Sequence, residues 1–84
     1  MAKVTLYSKP DCPLCDDARQ ALERVRERTP FYLEEIDITS RSGLLAEYGE
    51  RIPIVSIEGR EAFEYFVDEQ ELERRVSAAP EAVG

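Results

Sequence analysis

The chain reads as an α/β domain built on a four-stranded mixed sheet, with elements in the order β-α-β-α-β-β-α. Three observations point there. Its 84 residues are enough for one compact domain and too few for two. The apolar period alternates between the two-residue repeat of a strand and the 3.6-residue repeat of a helix. Finally, the first two strand-like runs are separated by a helical stretch, which makes them parallel, whereas the last two meet at the tight Glu58-Gly59-Arg60 connection of a hairpin. Helices on both faces of such a sheet give about the smallest three-layer domain that a chain of this length can build.

VTLYS, residues 4–8, is the first strand, rich in β-branched and aromatic residues and followed by the turn signal Lys9-Pro10-Asp11. From Pro13 the pattern becomes helical. Leu14, Ala18, Ala21, Leu22 and Val25 form an apolar stripe, Asp16, Asp17, Arg19, Glu23 and Arg24 take the wetter faces, and Thr29-Pro30 stops the helix. FYLEEIDI, residues 31–38, is the second strand. Ser40 is placed to cap a short helix carrying Leu44, Leu45 and Tyr48 and ending at Gly49. IPIVSIE, residues 52–58, and AFEYFV, residues 62–67, supply the hairpin, with Phe63, Tyr65 and Phe66 read as core or cross-strand aromatics. Asp68 with Glu71 resembles a capping box, opening a last helix with the stripe Leu72, Val76 and Ala79. The domain is expected over residues 1–78, with 79–84 a frayed tail.

Eighteen acidic residues against 11 basic ones give a net charge of −7. That balance argues against nucleic acid and anionic membrane as partners, since both attract basic patches. The N-terminal residues show no signal-peptide pattern, and no run reaches the ~18 apolar residues of a membrane span. The expected setting is the cytoplasm, as a monomer. Histidine is absent, which removes histidine acid–base chemistry and every histidine-containing metal site.

Both cysteines lie in KPDCPLCDD, residues 9–17. Pro13 suits the first position of a helix, where its missing N–H costs nothing. Cys12 then becomes the N-cap, its sulfur beside unpaired backbone N–H groups and the positive end of the helix dipole. Both favour thiolate, the species that attacks disulfides. Asp11, Asp16 and Asp17 oppose this, while Lys9 and Arg19 assist. Cys15, one turn on, is close enough to close a ring onto Cys12 and more covered by the chain. An exchange-active pair assigns Cys12 as nucleophile and Cys15 as resolving thiol. Two other readings remain: a pair of core thiols, or part of a metal site completed by carboxylates or a second chain. The expectation is no bound metal.

YSKPDCPLC opening a helix, followed later by RIPIVSIEGR, resembles the glutaredoxin branch of the thioredoxin-fold proteins, over residues 3 to about 76. CPLCDDA looks closest to a subgroup of small bacterial glutaredoxin-like proteins with C-x-L-C-D. The resemblance implies a thioredoxin-like α/β/α sandwich and a thiol–disulfide oxidoreductase that reduces protein or small-molecule disulfides. It also implies a cis Ile52–Pro53 bond facing the cysteines, Lys9 near a glutathione carboxylate with Arg51 as a second basic candidate, and Asp68 near the glutathione amine. The sequence departs from true glutaredoxins in having Leu14 where an aromatic residue is usual. It also has EYFVDEQEL where a Gly-Gly normally precedes the last helix, and there Phe66 and Val67 do not reproduce a glycine backbone approach. No tightly bound cofactor is implied. Glutathione or a flavin reductase is the expected electron source, and the missing glycines point to weak use of glutathione. The alternative class is a non-catalytic thioredoxin-fold adaptor, redox sensor or metal-handling module.

Overall fold

The computed structural model describes residues 1–40, 42–49 and 51–78. Its elements are β1 (Lys3–Ser8), α1 (Pro13–Arg28), β2 (Tyr32–Asp37), a 3-10 turn (Ile38–Ser40), α2 (Ser42–Tyr48), β3 (Ile54–Ile57), β4 (Arg60–Glu64) and α3 (Glu69–Ala78). They follow the expected order. The sheet runs β2-β1-β3-β4, with β1 parallel to β2 and antiparallel to β3, and β4 antiparallel to β3. Among the described residues no helix is long and apolar enough to cross a membrane.

β1 and β3 lie in the middle of the sheet, and Val4 to Leu6 and Ile54 to Ile57 are buried there, with Thr5 and Ser56 the polar residues among them. Val4 and Leu6 of β1 face α1 and α3 and are fully buried with Leu22, Val25, Val55 and Leu72. Burying each such side chain contributes roughly 1.5–3 kcal/mol. Tyr7, on the opposite face of β1, stacks on Tyr48 of α2 with ring centroids 4.7 Å apart. That contact places α2 as the third layer.

Local chemistry sets the element ends. Thr29 caps α1, its N–H bonding Val25 O at 2.8 Å, and its hydroxyl donates to Glu73 of α3 at 2.6 Å. Glu58 and Gly59 both have positive φ (52° and 80°), the backbone of a two-residue hairpin turn whose twist matches its strands. In the β3–β4 ladder Val55 faces Phe63 while Ser56 faces Glu61, so Ala62 is an extra residue bulged into β4. Asp68 Oδ1 accepts the Glu71 N–H at 3.1 Å, as the capping pattern suggests, while the Glu71 carboxylate is taken by Arg74 and Arg75.

Three sequence expectations are corrected. Ser40 does not cap α2. It ends the 3-10 turn, and its hydroxyl donates to Asp37 O at 2.6 Å; Asp37 Oδ1 also holds the N–H and hydroxyl of Thr39. These local bonds compete with helix initiation, and α2 starts at Ser42. The last strand stops at Glu64 rather than Val67, because Tyr65 turns to φ 67°. Leu14 leaves the buried stripe of α1 and is half exposed. Ala79 and the proposed tail, 79–84, lie outside the described residues.

Replacing Leu22, which has no exposed surface, by alanine is expected to cost roughly 2–5 kcal/mol, read from the urea midpoint. By contrast, Arg28→Ala removes exposed ion pairs to Glu69 and Glu73 and a long bond to Arg24 O at 3.4 Å, and should leave that midpoint nearly unchanged.

Candidate functional site

The sheet topology brings four chain segments to one edge. β1 ends there at Ser8, β2 at Asp37, β4 at Glu64, and β3 begins there at Ile54, as the pairs Ser8–Asp37, Tyr7–Ile54 and Ile54–Glu64 require. From Ser8 the chain turns through Lys9-Pro10-Asp11, with Asp11 at φ 56°, a conformation that Asp tolerates better than most residues. Cys12 then enters α1.

Cys12 is the N-cap, with extended backbone (φ −119°, ψ 101°) and Pro13 following as the first helical residue. Its carbonyl accepts the Asp16 N–H at 3.1 Å. Its Sγ accepts the Cys15 N–H at 3.2 Å. The sulfur thus occupies the place that a serine or aspartate oxygen takes in an ordinary N-cap. Both cysteines are free thiols, Cys12 partly exposed and Cys15 buried.

Cys15 clusters with Ile38 and Ile52, and the partly buried Tyr7, Cys12, Leu44 and Tyr48 pack against that cluster. Burial pushes the Cys15 thiol up to about 11, helped by its hydrogen bond to the Cys12 side chain; the Lys9 backbone and the Arg19 charge act in the other direction. Arg19 stands one turn beyond Cys15. Its Nε and Nη2 donate to Glu35 of β2 at 2.8 and 2.5 Å, and its Nη1 to Asp16 at 2.6 Å. Ser8 Oγ donates to the same Glu35 carboxylate at 2.7 Å. Hydrogen bonds from Arg19 hold the Glu35 carboxyl below its usual range; its partial burial opposes this, and the Ser8 bond adds to it. Asp16, expected to weigh against a thiolate, therefore faces a guanidinium.

The remaining sequence candidates fall in different places. Ile52 and Pro53 are buried beside the cysteine cluster and joined by a cis peptide. Lys9 is exposed on the loop before Cys12. Arg51 is engaged by Glu61 and, at 2.7 Å, by Glu64, with its guanidinium 5.8 Å from the Tyr48 ring centre. Asp68 caps α3 across a groove from α1. Among the described residues no group of three or more His, Cys, Asp or Glu side chains could hold a metal ion.

Sequence reasoning did not place Tyr7, Ile38, Tyr48, Ser8 or Glu35 at this site. The acidic pair inside the second strand was the one available signal for Glu35. Nor did it anticipate Tyr65 and Phe66. Tyr65 N–H bonds Pro53 O at 2.8 Å and Phe66 N–H bonds Glu64 O at 2.7 Å, a tight three-residue turn centred on the positive φ of Tyr65. The turn leaves Phe66 74% exposed.

A family model described as glutaredoxin-like domain (DUF836) matches residues 3–77. An uncharacterized protein of Mycobacterium tuberculosis is 32% identical over 75 residues, covering 83% of this chain and 77% of its own. Among solved structures, the structural-genomics target XcR50 from X. campestris is 33% identical with a TM-score of 0.74, over 92% of this chain and 99% of that one. Protein Ne2328 from Nitrosomonas europaea is 26% identical with a TM-score of 0.76, over 88% and 89%. A thioredoxin variant from Halobacterium salinarum, 22% identical with a TM-score of 0.69 over 99% and 78%, shares the fold.

Two outcomes follow from the unequal thiols. Iodoacetamide at pH 8 should label Cys12 alone in the folded protein and both cysteines in denaturant, as counted by mass. The raised Cys15 value also ties stability to pH. Its ordinary value of 9.0 applies to the unfolded chain, so below pH 9 both states keep the proton and the contribution is complete. Between about 9 and about 11 the unfolded state loses it first, and stability falls. Reduced Cys15→Ala should lack that part of the decline in urea titrations.

Proposed function

The chain belongs to the glutaredoxin-like domain family, and on that premise we propose that it is a thiol–disulfide oxidoreductase whose working groups are Cys12 and Cys15. The observation that carries the reading is the Cys12 sulfur at the N-terminus of α1, accepting the Cys15 N–H at 3.2 Å, above a buried second thiol. A sulfur in that position is met by oriented N–H groups as negative charge accumulates on it.

In the reductive direction the Cys12 thiolate attacks one sulfur of a substrate disulfide. That S–S bond breaks, a mixed disulfide with Cys12 forms, and the departing thiolate takes a proton from solvent. Cys15 then gives up its proton to solvent and attacks Cys12 Sγ. The second substrate sulfur leaves and is protonated. Two electrons and two protons have passed to the substrate, and a Cys12–Cys15 disulfide remains. A thiol such as glutathione, or a flavin reductase, returns the two electrons. The chemistry calls for no tightly bound cofactor, and it suits a reducing compartment such as the cytoplasm.

Ile52 and Pro53 form the wall that an incoming sulfur meets, and Lys9 is the basic side chain free to approach an anionic partner. Arg51 is a weaker candidate for that role, since Glu61 and Glu64 already hold it. Residues 65–68, Tyr-Phe-Val-Asp, stand before α3 where the glutathione-binding glycines of true glutaredoxins would be. This supports a protein that uses glutathione poorly.

Cys12→Ser should abolish reduction of a small disulfide, while Cys15→Ser should leave the first attack and accumulate mixed disulfides visible by mass. Full activity in Cys12→Ser would overturn the assignment. The resolving step should quicken about tenfold per pH unit between pH 7 and 9, following the thiolate fraction of Cys15. The pair should equilibrate with glutathione buffers at roughly −270 to −200 mV. A disulfide that forms reversibly without multiple turnover would favour a sensor instead.

A further inference from the structure

Beside the cysteines, between α1 and the turn that precedes α3, lies a groove of about 560 Å³. Leu14, Ala18 and Ala21 line one side of it, spaced over about two turns of α1, and Tyr65, Phe66 and Val67 line the other. Leu14 is 50% exposed and Phe66 74%, so large apolar side chains face water. The polar part of the lining includes Asp17, Asp68 and Glu69 against Arg24, and Arg24 is already paired with Glu69 at 2.8 Å. The groove's formal charge is thus −2 in a chain of −7.

Resting on the proposed exchange chemistry, we infer that this groove selects the substrate: it holds the polypeptide next to the disulfide cysteine that Cys12 attacks, and it favours segments carrying a bulky apolar side chain and a Lys or Arg. The geometry supplies the first half. Leu14 is two residues from Cys12, and from Leu14 to Arg24 the helix extends about 15 Å. A chain covalently joined to Cys12 therefore has the groove within its next few residues. Charge supplies the second half. Asp17 and Asp68 attract a basic side chain and repel acidic ones, so they steer encounter as well as binding.

The same charges disfavour other occupants. Glutathione is anionic overall and has few apolar atoms to set against Leu14 and Phe66. A second copy of this chain would bring two acidic grooves together.

The test uses Cys15→Ser protein and short peptides whose single cysteine is activated as a pyridyl disulfide, with pyridine-2-thione release giving the rate of attack. The flanking residues are Leu-Phe-Lys, Leu-Phe-Glu or Gly-Ser-Gly, and hydroxyethyl disulfide and glutathione disulfide serve as references. The Leu-Phe-Lys peptide should react about tenfold faster than the Leu-Phe-Glu peptide at low salt, with most of that gap lost at high salt. Phe66→Ser, with its fold checked by circular dichroism, should lower the rate ratio of the Leu-Phe-Lys peptide to hydroxyethyl disulfide several-fold. Asp17→Lys should invert the preference between the Lys and Glu peptides.

Equal peptide rates, or glutathione disulfide reacting fastest, would overturn the inference while leaving the exchange activity standing. A dimer in light scattering that Phe66→Ser disperses would assign the groove to self-association and overturn it as well. Failure to attack even hydroxyethyl disulfide would remove the exchange reading, and this inference with it.

Discussion

The structure depends on the double pairing of β1. Because β1 is parallel to β2 on one side and antiparallel to β3 on the other, the sheet has one edge where β1, β2 and β4 end and β3 begins. That edge is where the cysteine loop, Ile38, Ile52 and the Tyr65 turn meet. No single segment carries the site, and none could assemble it without the others. The register is as important as the direction. A one-residue slip of β1 would send Tyr7 into the α1 face and Leu6 toward α2, removing the stacking partner of Tyr48 and a fully buried core residue together.

Within that frame the two thiols are made unequal by position alone. Cys12 and Cys15 are separated by one helical turn, yet one caps the helix at the surface and the other is sealed beneath it. The polar groups nearby divide along the same line. Arg19 draws Asp16 and Glu35 into one network with Ser8, so one of the carboxylates crowding the motif in sequence, Asp16, meets a guanidinium in space. One positive charge thus partly offsets two carboxylates near the start of α1, while Asp17 and Asp68 remain along the groove.

Much of this was legible in the sequence because the signals were local. Pro13 announced the start of α1 and the capping place of Cys12; Glu58-Gly59 announced the hairpin; the stripe through Leu22 and Val25 announced the buried face. What the sequence concealed depends on distant contacts. Leu14 belongs to the apolar repeat of α1 but lines the open groove toward the turn before α3 and stays half exposed. Phe66 continues an aromatic strand pattern, yet the turn of Tyr65 to positive φ, held by a bond to Pro53 O twelve residues back, ends the strand first. Arg51 looked free until folding brought Glu61 and Glu64 to it. Tyr7 and Tyr48 are far apart in sequence, and neither carries a motif; only the layering of α2 on the sheet makes them neighbours.

The residue bulged into β4 has a consequence for how this protein coexists with other chains. β4 is an outer strand, and Ala62 breaks its backbone rhythm between Glu61 and Phe63, while Arg60, Glu61 and Glu64 are exposed along it. The opposite outer strand, β2, exposes Glu34 and Glu35, with Glu34 paired to Lys3 at 3.3 Å. Charges and a kink are the means by which a sheet refuses a fifth strand. An extended, partly unfolded polypeptide can therefore come close to this sheet without finding a template on which to aggregate.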